Sequence, residues 1–101
     1  MEDVLDAVVA KIVETAHPDK IILFGSRSKG GARPESDYDL LVLKHGLSNR
    51  RALAHQLYRM LVDIPAAVDI LVETPEHLAE YQYSRGFIYA EALRGLVVYE
   101  R

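Results

Sequence analysis

Two short apolar runs decide most of what this chain can become. Ile21-Ile22-Leu23-Phe24 and Leu40-Leu41-Val42-Leu43 each read as a buried strand, the first over residues 20–24 and the second over 37–44. The twelve residues between them are mostly glycine, serine and cations with one proline, which is turn material. The second strand is near-continuously apolar after its start, which places it centrally in a sheet. Its start is the exception. Asp37 and Asp39 stand at i and i+2, and the period of two puts both on one face.

The remaining elements follow from periodicity and punctuation. Val4, Leu5, Val8, Val9, Ile12, Val13 and Ala16 repeat on one helical face, Glu2 and Asp3 sit where the dipole favours acids, and His17-Pro18 ends the run. Ser48 reads as the N-cap of a helix over 49–62, with Leu53, Ala54, Leu57, Tyr58, Met60 and Leu61 as its apolar face, broken by Asp63-Ile64-Pro65. Residues 67–73 form a third apolar strand with one interior charge, Asp69. Thr74-Pro75-Glu76-His77 opens a last helical stretch to Arg94, with a break near Ser84-Arg85-Gly86, and Gly95 stops it before a strand over 96–100. The expected fold class is α/β (α+β), a two-layer mixed β-sheet with helices packed on one face, in a single domain over 1–101. Strand order is not set by the pattern.

Composition narrows the functions. Half of the residues are apolar and 27% are charged, with a net charge of −3, so a general electrostatic attraction to nucleic acid is not expected. The absence of cysteine excludes disulfides and thiolate metal sites. No apolar run approaches the roughly 20 residues that cross a bilayer. Met1-Glu2-Asp3 is acidic and leads straight into an amphipathic pattern, unlike a signal peptide, so a cytoplasmic location is expected.

The chemistry gathers around the loop. Backbone amides and cations at Gly25, Ser26, Arg27 and Lys29 suit phosphate oxygens, while aligned carboxylates suit a divalent metal. Singly, Asp37 could cap the strand entry and Asp69 could pair with an Arg or Lys. Together the acids mean more. If the second and third strands are neighbours, Asp37, Asp39 and Asp69 converge, and their repulsion calls for a cation, for which Mg2+ fits best. Two phosphate loops are excluded: Gly31-Ala32 stand where a Walker loop needs Lys then Ser or Thr, and the dinucleotide pattern of spaced glycines is absent. His17, His45, His55 and His77 show no metal-ligand spacing and read as surface residues.

Gly25-Ser26, ten intervening residues, then Asp37-Tyr38-Asp39, with Val68-Asp69-Ile70-Leu71-Val72 further on, resembles the motif of the polymerase-beta-type nucleotidyltransferase superfamily, and more narrowly its minimal nucleotidyltransferase (MNT) branch. The resemblance implies that Asp37, Asp39 and Asp69 hold Mg2+, two ions in all, and that Gly25 and Ser26 cradle the triphosphate of ATP. It also implies that Asp69 helps to position or deprotonate an attacking hydroxyl. Arg27 and Lys29 are added from charge and position. Members of this branch are typically antitoxins paired with HEPN-type ribonuclease toxins, and some transfer AMP to a toxin tyrosine, so a HEPN-type toxin is the expected partner. Tyr81, Tyr83 and Tyr89 could form the docking surface or part of the core. Neutralisation by occlusion without catalysis, and nucleotidyl transfer to a small molecule, are the alternatives.

Overall fold

The computed structural model describes residues 3–29, 37–81 and 87–101, with residues 3, 29, 81, 87 and 88 described by their backbone alone. Helix α1 (Asp3–Ala16) leads into β1 (Lys20–Phe24) and a one-turn 3₁₀ helix (Ser26–Lys29). Then come β2 (Tyr38–Leu43), α2 (Arg50–Met60), β3 (Val68–Glu73), α3 (Pro75–Tyr81), α4 (Phe87–Leu93) and β4 (Leu96–Glu100). Every expected element is present, with β1 and β4 over the expected residues and β2, α2 and β3 trimmed by a residue or two at their ends. The break expected at Ser84-Arg85-Gly86 lies outside the described residues.

The terminations have local causes. His17 takes a left-handed φ of 48° and its N–H bonds to the Val13 carbonyl at 2.9 Å, closing α1 one residue before Pro18. The N-cap of α2 is Asn49 rather than Ser48: its side chain accepts the Ala52 N–H at 3.0 Å from an extended backbone. On α2, Leu57 and Leu61 are buried, but Tyr58 and Met60 are exposed, so the core-facing stripe is narrower than expected. No helix among the described residues is long and apolar enough to cross a membrane.

The strands form one mixed sheet in the order β3-β2-β1-β4. β1 pairs antiparallel with both β2 and β4, while β2 and β3 run parallel. The expected mixed α/β architecture is observed, with one correction. Helices cover both faces of the sheet, not one. Ile21, Leu23, Leu40 and Val42 pack with Val8 and Ile12 of α1 and Leu57 of α2. Ile22, Phe24, Leu41 and Leu43, which alternate with them, pack with Leu78 of α3 and Ala92 of α4. A strand that is apolar at every position exposes grease on both sides and must be covered twice.

Candidate functional site

The parallel register of β2 and β3 sets Tyr38 opposite Val68, Asp39 opposite Asp69 and Leu40 opposite Ile70. Register partners present their side chains to the same face, so Asp39 and Asp69 stand side by side. Asp37 lies two residues before Asp39, exposed just outside β2, and its charge reaches the Asp39 carboxyl. Asp39 and Asp69 share their face with Leu41 and Leu43, the face covered by α3 and α4. On the other side of β2, Asp39 is the register partner of Phe24, the last residue of β1. The corner that follows β1 therefore adjoins the acids.

That corner is built for close approach. Gly25 has φ of +78°, and a Cβ at this position would run into the Asp39 carboxylate. The left-handed backbone favours glycine, and an added Cβ would have to push the Asp39 carboxylate aside. The turn beyond it is closed twice on the Gly25 carbonyl, which accepts the Ser28 hydroxyl at 2.7 Å and the Ser28 N–H at 3.1 Å. Ser26, the first residue of the turn, is exposed.

Asp39 carries the electrostatic signature of this crowding. Partial burial pushes its carboxyl above the usual value of 3.8, and the negative charges of Asp69 and Asp37, a hydrogen bond between the Asp39 and Asp69 carboxyls, and the charge of Glu91 on α4 push it further. Among the described residues, no three His, Asp or Glu side chains stand close enough to ligate one ion as they are. Magnesium asks for less. It binds through one or two carboxylates and completes its octahedron with water and substrate phosphates. Asp39 and Asp69, with Asp37 at the rim and a Cβ-free corner facing them, suit such an ion by donor type and by charge.

Residues 8–101 match the sequence model of the family described as "Polymerase beta, Nucleotidyltransferase". The chain belongs to the polymerase beta nucleotidyltransferase family. Among solved structures, a toxin–antitoxin determined with AMP-PNP is 32% identical over 66% of this chain and 56% of that one, with a TM-score of 0.45. A toxin–antitoxin named MntA–HpeT, carrying two Asp-to-Glu substitutions, is 25% identical over 66% and 54%, with a TM-score of 0.44. The matched region spans little more than half the length of either chain. No curated protein matches this one.

The remaining sequence candidates are placed less uniformly. The Arg27 guanidinium lies 4.0 Å from the centroid of the Tyr38 ring. Tyr38 alternates with the two aspartates and belongs to the α1/α2 core, so the stack draws Arg27 toward the opposite face from Asp39. Lys29 has its backbone in the 3₁₀ turn, and its side chain lies outside the described residues, as do the side chain of Tyr81 and all of Tyr83. Tyr89 faces inward: its hydroxyl donates to Glu73 at 2.5 Å.

Glu73 is the feature that sequence reading missed. It ends β3 on the same face as Asp69 and is 0% exposed, the one fully buried charged side chain among the described residues. Arg50 of α2 donates to its Oε2 at 2.6 Å, the Thr74 N–H approaches at 3.3 Å, and His77 Nδ1 of α3 lies 2.6 Å away. Burial pushes the Glu73 carboxyl up, but the hydrogen bonds from Tyr89, Arg50 and Thr74 outweigh it and hold the group below its usual 4.5. The same burial and the bond to Glu73 push the Tyr89 hydroxyl up to about 12. His77 is therefore part of a knot joining four elements, while His45 pairs with Glu76 at the exposed surface.

Proposed function

We propose that this chain is a magnesium-dependent nucleotidyltransferase that moves AMP from ATP to a tyrosine hydroxyl of a partner HEPN-type toxin, and so acts as an antitoxin in the cytoplasm. The observation that carries the catalytic part is the register pairing of Asp39 with Asp69 beside a left-handed glycine corner where a Cβ would meet the Asp39 carboxylate. The protein acceptor rests on the resemblance of the spaced Gly-Ser and Asp-Tyr-Asp motif to the minimal branch.

Asp39 and Asp69 would hold the metal, with Asp37 at the rim of the site adding its charge. When bound, magnesium supplies positive charge against the triphosphate and the departing pyrophosphate. The chain's own residues do the rest. Gly25 lets phosphate oxygens approach the backbone beside Asp39, and the exposed Ser26 offers its hydroxyl and N–H. Asp69, exposed near the start of β3, would take the proton of an incoming hydroxyl. The tyrosine oxygen bonds to the α-phosphorus, the bond to pyrophosphate breaks, and the tyrosine proton passes to the carboxylate.

The test is incubation of the chain with α-labelled ATP, Mg2+ and the co-encoded partner, followed by mapping of the label. Label on a partner tyrosine that disappears in Asp39→Asn and Asp69→Asn, with folding retained, is the expected result. Variants that label as well as wild type would refute the site. Neutralisation that persists after labelling is lost would favour occlusion.

A further inference from the structure

β3 is an edge strand, and Asp69 is its second residue, just after the turn that follows α2. An exposed residue at the start of an edge strand is where a ladder frays first. The backbone shows how this end is held. The Tyr38 N–H bonds to the Ala67 carbonyl and the Lys44 N–H to the Glu73 carbonyl. In a parallel ladder, backbone groups alternate sides, so odd-numbered β3 residues turn toward β2 and even-numbered ones turn outward. The outward amide next to Asp69 is that of Ile70. It does not face open solvent: it donates to the Tyr58 hydroxyl of α2 at 2.8 Å. Tyr58 is itself 43% exposed, so packing alone does not explain its placement.

The geometry points to Tyr58 as a positioning residue: its hydroxyl latches the outer edge of β3 at Ile70 and thereby keeps Asp69 opposite Asp39. β2 holds Asp69 from one side through the ladder, and Tyr58 holds the adjacent residue from the other. The latch joins α2 to the third acid without touching substrate. It also occupies the amide that a stray strand would use to extend the sheet. The inference rests on the metal role proposed for Asp69.

Tyr58→Phe removes one hydroxyl and keeps a half-exposed ring, so the fold should survive. Two readouts are taken on the whole chain: amide hydrogen exchange by NMR, and binding of Mn2+ alone, without nucleotide, by electron paramagnetic resonance. Losing one hydrogen bond should speed local opening at Asp69 and Ile70 about five-fold while amides of β1 stay unchanged. Mn2+ affinity should fall three- to ten-fold, and Tyr99→Phe on β4 should change neither. Unchanged exchange, or faster exchange with unaltered Mn2+ affinity, would overturn the positioning role. Asp39→Asn separately tests the metal site. Should the wild-type chain bind no Mn2+, the functional reading falls, and exchange at Asp69 and Ile70 alone then upholds or overturns the latch.

Discussion

The buried carboxylate of Glu73 can be tested by changing its charge and almost nothing else. Glu73→Gln keeps the shape. Its amide oxygen can still accept from Arg50, and its amide nitrogen can donate to the Tyr89 oxygen once that hydroxyl rotates. What disappears is charge assistance. Hydrogen bonds to a charged group contribute about 1.5–3 kcal/mol and neutral ones about 0.5–1.5. Two such bonds, from Tyr89 at 2.5 Å and Arg50 at 2.6 Å, are weakened. The Arg50 share is discounted because its side chain is 43% exposed and water screens it. A neutral amide is also cheaper to bury. The expected net loss is about 1–2 kcal/mol, which for a domain of this size lowers Tm by about 5–15 °C.

Tyr89→Phe should cost at least as much, about 1.5–3 kcal/mol, since it leaves one buried carboxylate oxygen without its donor. Urea denaturation followed by circular dichroism gives both values. The pH dependence fixes the cause. Glu73 is held below 4.5 in the fold, so the stability it contributes is fully present above that pH and is lost as pH falls through the folded value. The gap between wild type and Glu73→Gln should therefore narrow in acid. A gap that is absent at neutral pH, or that does not change on acidification, would show that Glu73 does not act as a paired charge.

Three further outcomes follow. Gly25→Ala must place a Cβ against the Asp39 carboxylate at a φ of +78°, so labelling activity should drop at least about ten-fold while stability falls by only about 1–2 kcal/mol. His17→Gly should raise Tm by a few degrees, about 0.5 kcal/mol, because it relieves a left-handed histidine while the Lys44 bond to the residue 17 carbonyl is kept. Asp69→Lys puts a cation opposite Asp39 and should stabilise the metal-free chain by about 0.5–1 kcal/mol, with Tm no longer responding to Mn2+. A lower Tm for that variant would mean that the two side chains do not face each other.

The strands were legible because their apolar runs are too short for helices and are bracketed by glycine, proline and acids. Asp69 was legible for the same reason, as a lone charge between Val68 and Ile70. The parallel pairing that seats it beside Asp39 was not, since nothing in a period of two names a neighbour. The alternation of Leu40 with Leu41 and of Val42 with Leu43 contained the second covered face, which the one-face expectation overlooked. Glu73 reads as an ordinary strand-end acid before a Thr-Pro turn. Its partners lie 16 and 23 residues away in sequence, at Tyr89 and Arg50, and only the fold gathers them. Arg27 reads as a phosphate contact until the ring of Tyr38, hidden between two aspartates, draws it to the other face.

Asp39 and Glu73 make the case for an external cation by contrast. They sit on the same sheet face, near opposite ends of the β2–β3 pair, with Leu41 and Leu71 between them. Burial pushes both carboxyls up. At Glu73 the fold surrounds the charge with a guanidinium, a phenol and an amide, and the net shift is downward. At Asp39 the neighbours are Asp69, Asp37 and Glu91, and every one adds to the upward shift. Neutralising one buried acid with its own donors while crowding another with like charge costs stability at the second place. Such a cost is removed by a ligand that brings positive charge, and binding that ligand then stabilises the fold by the same interaction. On the function proposed above, the repulsion at Asp39 would be relieved by the metal that accompanies the triphosphate, and an added Cβ at Gly25 would crowd that same carboxylate.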